Sequence, residues 1–186
     1  MKKYSILALL AVALGSCTPK QQESTQAEAP ARTVNVEDRL KELNIELTTP
    51  APSTGSIVKT VRVGNFVYTS GHGPDKPEGG QLTGKVGGDL TVEQGQEAAR
   101  LTAIALLSSL KAEIGDLNKV KRVVKVLGMV NCTPTFTEQP KVMNAFSDLI
   151  VDLFGESGKH ARSAVGMNGL PGNIAVEIEM IVEVSE

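Results

Sequence analysis

His160-Ala161-Arg162-Ser163-Ala164-Val165-Gly166, followed through Leu170-Pro171 by Ile174-Ala175-Val176-Glu177-Ile178-Glu179-Met180-Ile181-Val182-Glu183-Val184, is the stretch from which the rest of the chain is read. In its second half Ile174, Val176, Ile178, Met180, Val182 and Val184 recur at every second position. On an extended backbone this gathers them on one face and leaves Glu177, Glu179 and Glu183 on the other. The pattern predicts a strand with a core side and an acidic side. In the first half a lone arginine sits among Ala161, Ser163, Ala164 and Gly166. A guanidinium offers a planar fork of donors matched to a carboxylate, and small neighbours let a ligand approach the backbone amides. Two readings of Arg162 stand at this point. It is the anchor of a carboxylate site served by one of the strand's glutamates, or it is an ion-pair partner beside a solvated sheet face.

Upstream of this stretch, Val142 to Phe154 has the spacing of an amphipathic helix, with Gly155 placed to stop it, and Val120 to Val130 reads as a central strand. Before them, Thr91 with Gln94 forms a capping box. Ala98, Leu101, Ala105, Leu106 and Leu110 then stripe a helix that runs to Ile114 and stops at Gly115. Ile57 to Val63 and Phe66 to Ser70 flank Gly64-Asn65, a two-residue hairpin signal, and a Gly/Pro-rich loop from Gly71 to Asp89 follows. Val36, Leu40 and Leu43 predict a short helix ahead of a Pro50/Pro52 loop. The order is helix, strand, strand, helix, strand, helix, strand, strand. It predicts an α+β fold in which a mixed sheet carries two helices on one face. The other face is then bare, and a domain of this size covers such a face with a partner, so the pattern predicts an oligomer.

The first residues set the compartment. Lys2 and Lys3, an apolar run from Ile6 to Leu14 and then Leu14-Gly15-Ser16-Cys17 have the form of a lipoprotein signal. The run is far shorter than the ~20 apolar residues of a spanning helix. Residues 1–16 are expected to be a signal peptide and Cys17 the lipidated N-terminus. Residues 17–35, rich in Gln, Glu, Ser, Thr, Pro and Ala, are expected to form a disordered tether, and 36–186 the folded domain. The expected location is a membrane-anchored exported lipoprotein, with Thr18 after the cysteine pointing to the outer membrane and the domain expected to face the periplasm. Removing Lys2 and Lys3 changes 19 basic against 21 acidic residues to 17 against 21. That balance, without a basic run, counts against nucleic-acid binding. Of two cysteines only Cys132 stays free, which rules out an intrachain disulfide, and at the end of an apolar strand it reads as a small core residue.

Gly64-Asn65-Phe66-Val67-Tyr68-Thr69-Ser70-Gly71 near the start, and Ala161-Arg162-Ser163, Leu170-Pro171 and Val176-Glu177-Ile178-Glu179 near the end, resemble the YjgF-like family in content and order. Its members are also called Rid proteins, or reactive enamine/imine deaminases. The resemblance runs from about Val36 to Val184. Gly84-Lys85-Val86-Gly87, Lys121 to Gly128 and Asn131-Cys132-Thr133-Pro134 look like a less characterised branch of it.

The resemblance implies a chorismate-mutase-like fold assembled as a homotrimer, with the sheets facing inward and the ligand sites in clefts between subunits. It also implies roles. Arg162 binds a substrate carboxylate with help from the Ala164 amide, and Glu177 orients and activates the water that attacks a C=N carbon. Ser70 and Gly71 line the cleft, and Asn144 adds a polar contact across it. Each of the last three has a plainer reading as a strand end or a solvated helix residue. Three positions depart from the family pattern: Ile57 stands where deaminases carry a tyrosine, Ala164 where they carry a cysteine, and His72 where a glutamine is usual. His72 would place a titratable group near the cleft, and His160 would share the strand face of Arg162. No cofactor is implied, and two histidines with one free cysteine are too few for usual zinc ligation. Three functions compete. They are a hydrolase converting 2-imino acids to 2-keto acids and ammonia, a non-catalytic module holding a small carboxylate, and an endoribonuclease or translation inhibitor, which fits export and acidity badly.

Overall fold

The computed structural model describes residues 35–50, 52–53 and 55–186. The expected signal peptide, Cys17 and nearly all of the tether lie outside them. Helix α1 (Val36–Glu42) is opened by Asn35, whose side chain accepts from the amides of Glu37 and Asp38. The helix buries Val36 and Leu40, and Leu43, expected inside it, caps it instead.

Strands β1 (Thr60–Val63) and β2 (Phe66–Thr69) form the predicted hairpin, Val63 opposite Phe66 across Gly64-Asn65. Gly64 has φ +58°, a conformation that such two-residue turns require and that costs glycine nothing. The first strand is shorter than its sequence suggests. Ile57 and Val58 precede it and are exposed, because β2 ends opposite Thr60 and gives them no ladder to join. Residues 71–89 are also more tied down than a free loop, through single bridges of His72 to Ile178, Thr83 to Ile174 and Val86 to Cys132.

Helix α2 (Val92–Ile114) has the Thr91/Gln94 capping box and ends at Gly115, φ +79°. Its buried stripe includes Ala98, Ala99, Ala103, Leu106, Leu107 and Leu110. Leu101 and Ala105, expected in that stripe, are only half-buried. Strand β3 (Val120–Asn131) leads to α3 (Gln139–Phe154), which starts before the expected Val142 because Pro140 is accommodated in its first turn. Strands β4 (Ala161–Met167) and β5 (Val176–Val184) complete the chain.

The sheet runs β1-β2-β5-β3-β4, with β3 and β4 parallel and the other neighbours antiparallel. The alternation read from the last strand holds. Val176, Ile178, Met180, Val182 and Val184 are buried toward α2 and α3, while Glu177, Glu179, Ile181 and Glu183 face the other way. Val61, Val63, Phe66 and Tyr68 join them on that open face, and each is at least 40% exposed. Both long helices therefore cover one face of a mixed sheet and leave the other bare.

Candidate functional site

The open face carries the first cluster of predicted site residues. Glu177 lies on β5 opposite Met129, half-buried, with its carboxylate packed against the backbone of Gly71. A Cβ built on Gly71 would fall 2.0 Å from Glu177 Oε1, so any side chain there would displace the carboxyl group. Burial, and then the charge of Glu179, hold the Glu177 carboxyl above the usual carboxylate range. Ser70 precedes Gly71, but its hydroxyl is engaged, donating to the Val58 carbonyl at 2.6 Å, and its amide donates to Lys59 O. Its visible work is to tie the segment before β1 to the end of β2. Ile57, the position of the missing tyrosine, is outside the sheet and 70% exposed.

The second cluster sits on the opposite side of the sheet, at its β4 edge. Arg162 pairs with Val126 and so faces α3. Its guanidinium is folded onto that helix: Nη1 donates to Ser147 Oγ at 2.8 Å, and Nη2 to Asn144 Oδ1 at 3.1 Å and, more weakly, to Pro140 O at 3.4 Å. Asn144 is thus a partner of Arg162 within one chain. Ala164 lies two residues on, opposite Gly128, on a strand whose outer edge leaves alternate amides unpaired. His160 reaches the same cluster, as expected, with Nε2 3.1 Å from Ser147 Oγ.

Within one chain, then, the structure brings Gly71 to Glu177 and Asn144 to Arg162, with Ala164 two residues along the same strand, but turns the Ser70 hydroxyl to Val58 and keeps Arg162 and Glu177 on opposite sides of the sheet. His72 belongs to neither cluster. It is 4% exposed and faces α2, with Nδ1 2.8 Å from Ser70 O and Nε2 2.7 Å from Ser109 Oγ. Burial lowers its pKa against the opposing Ser70 carbonyl bond. Cys132 is a buried core residue at 5% exposure, with Gln139 Nε2 3.6 Å away.

Two features went unread in the sequence. Ser147 joins His160 and Arg162, and its signal was available in the three-residue spacing from Asn144, which aligns the two on one helix face. The open face also holds a groove of about 450 Å³ lined by Tyr68, Lys125, Leu127, Ser163, Glu179 and Ile181, in which Lys125 Nζ donates to Ser163 Oγ at 2.9 Å.

Comparison with known proteins adds independent findings. A family model described as "YjgF/chorismate_mutase-like, putative endoribonuclease" matches residues 37–184. Protein TCP17 of Trypanosoma cruzi is 45% identical over 147 residues, 78% of this chain and 92% of that protein. A crystal structure of a protein of unknown function from Agrobacterium tumefaciens is 43% identical and superposes with a TM-score of 0.75, covering 81% of this chain and 94% of that one. RidA from an Antarctic Psychrobacter is more distant, at 26% identity and a TM-score of 0.52 over 73% of this chain and 94% of its own. With a family model spanning the folded residues and the same mixed-sheet architecture in its relatives, the chain belongs to the YjgF/chorismate-mutase-like family.

Proposed function

We propose that this chain is a hydrolytic deaminase of short enamine/imine intermediates, converting 2-imino acids to 2-keto acids and ammonia at a cleft between copies of a homotrimer. The observation that carries the reading is the division of the candidate residues into two half-sites on opposite sides of one sheet. Each half is incomplete for the chemistry. Arg162 supplies an anion anchor whose neighbouring imidazole, His160, is already engaged by Ser147 and Gly158 O, and Glu177 supplies a carboxylate packed against Gly71 on the other side of the sheet from that anchor. A second copy laid on the open face brings one chain's Glu177 to the other's Arg162. The exposed Val61, Val63, Phe66 and Tyr68 on that face give such a contact its apolar driving force.

In the joined cleft Arg162 holds the substrate carboxylate. Glu177 takes a proton from water as the water oxygen bonds to the imine carbon and the C=N electron pair moves to nitrogen. The glutamic acid returns that proton to nitrogen to give the carbinolamine; Glu177 then takes the hydroxyl proton and passes it to nitrogen as the C–N bond breaks, so that the C=O bond forms and ammonia leaves. A carboxyl group held above its ordinary pKa suits both halves of this transfer.

The test pairs two variants. Arg162→Ala removes a charge-assisted contact of about 1.5–3 kcal/mol and is expected to weaken 2-keto acid binding roughly 10- to 100-fold. Glu177→Gln is expected to keep binding and lose acceleration of imine hydrolysis, because its role is in the transition state. Imine generated in place by an amino-acid oxidase, followed alongside calorimetry, reads both. Binding without any acceleration by the wild type would leave a carboxylate-binding module. The prior engagement of Arg162 by α3 and the loss of a tyrosine at Ile57 favour that second reading. Binding by Arg162→Ala equal to wild type would defeat both.

The same proposal places the domain at a membrane through Cys17. No helix among the described residues is long and apolar enough to cross one. Intact-mass analysis of membrane-extracted protein is expected to show an acylated chain beginning at Cys17, and a soluble, unacylated mature chain would reject the anchor.

A further inference from the structure

Ser147 is the point at which two cationic or cation-forming groups of the Arg162 half-site meet. Its hydroxyl oxygen lies 2.8 Å from Arg162 Nη1 and 3.1 Å from His160 Nε2, and His160 Nδ1 lies 2.6 Å from Gly158 O. The hydrogen bonds have one consistent direction. The Gly158 carbonyl only accepts, so Nδ1 carries the ring proton and Nε2 of the neutral ring presents a lone pair. The Ser147 hydroxyl therefore donates to Nε2 and turns its oxygen lone pairs to Arg162. Asn144 Oδ1, one helical turn earlier, takes Nη2 at 3.1 Å, so both terminal nitrogens of the guanidinium are clamped. The Phe146 ring meets the imidazole edge-on, centroids 6.3 Å apart and planes at 82°, and fixes its tilt.

We propose that Ser147 and His160 form a positioning relay that orients the Arg162 guanidinium for an incoming carboxylate and makes the affinity for that carboxylate depend on protonation of His160. This rests on reading Arg162 as the carboxylate anchor. Three of the five guanidinium N–H donors are used by α3, and the remaining two have no acceptor among the described residues. The relay holds the group still while leaving those donors for a ligand.

The coupling follows from charge. When His160 takes a proton, Nε2 becomes a donor, and one hydroxyl oxygen must accept from two cations. The other groups around the ring do not relieve this. From α3 come Ser147, Asn144 and Phe146, all uncharged. Beside Gly158, Lys159 is paired with Glu156 at 2.6 Å. From β3, Lys125 stands opposite Ala161 with its ammonium bonded to Ser163. Arg162 is the charge that faces the imidazole. Burial, with Arg162 adding to it and the Gly158 carbonyl opposing, keeps His160 below its ordinary pKa. A bound carboxylate cancels the Arg162 contribution, so binding takes up a proton, and by reciprocity affinity rises as pH falls through the His160 range.

Two measurements on the full chain test this, with pyruvate as the probe. The His160 ring, followed by NMR without ligand, is expected to titrate at higher pH in Arg162→Ala than in wild type; an unchanged titration overturns the coupling. Calorimetry is expected to show pyruvate affinity rising about threefold between roughly pH 7.5 and 5.5 in wild type and staying flat in His160→Gln. Ser147→Ala is expected to weaken binding and Ser147→Thr to restore it. Pyruvate binding whose strength and pH dependence survive both Ser147→Ala and His160→Gln overturns the relay alone. Absence of pyruvate binding by wild type overturns the anchor reading, and the relay with it.

Discussion

His72 uses both ring nitrogens inside its own chain, one on the Ser70 carbonyl and one on Ser109, and its amide and carbonyl both bond Ile178. The residue after Gly71 is thereby pinned to the strand that carries Glu177. The arrangement has a pH signature. Its folded pKa is lowered from the ordinary 6.5, so the unfolded chain takes the proton first. The stability it contributes is complete above that value and is lost as pH falls below it toward the folded pKa. Urea unfolding at about pH 7.5 and 5.5 is expected to show a loss of stability on acidification that is smaller in His72→Gln. An equal loss in the variant would place the proton elsewhere. Reading His72 from sequence as a group near the cleft was right about its neighbours in the chain and wrong about its direction. An isolated bridge to Ile178 turns it to the helix side, and no periodic pattern in residues 71–89 announces that.

Helix α3 is the element that connects packing to chemistry. Its inner face buries Val142, Met143, Phe146, Leu149, Ile150 and Leu153, while Asn144 and Ser147 on its flank hold Arg162. Gly128 of β3 makes the close approach possible: a Cβ there would lie 2.4 Å from Met143 Cε. Phe146 serves both functions, since it is fully buried and also meets the His160 ring. Phe146→Ala is expected to cost about 3–5 kcal/mol in chemical denaturation, and a loss below about 1 kcal/mol would mean that α3 is not held by this core. Elements of this kind were legible because their signals are local. The Thr91/Gln94 box, the Gly64-Asn65 turn, the Gly115 and Gly155 stops and the β5 alternation each act over a few residues. What escaped was set by partners distant in sequence. Ile57 fell outside β1 because β2 offers no residue across from it, and Leu101 and Ala105 left the buried stripe because the sheet and α3 select a different arc of α2. The face of Arg162 depends on β4 lying parallel to β3 with Val126 opposite Arg162, a register that neither strand encodes alone.

At the scale of the whole molecule, the sheet has its long helices on one side and an apolar and acidic face on the other, with Arg162 on the first side and Glu177 on the second. The most direct test of that division is complementation between two disabled chains. Arg162→Ala and Glu177→Gln, each expected to be severely impaired in imine hydrolysis at low substrate by itself, are unfolded together, refolded as a mixture and sized by light scattering. In a cyclic trimer assembled at random, one interface in each mixed assembly joins an intact Glu177 to an intact Arg162, so activity is expected to return to about a quarter of the wild-type level. Mixed trimers that stay inactive, or a wild-type chain that is monomeric at micromolar concentration, would contradict a site built from two copies.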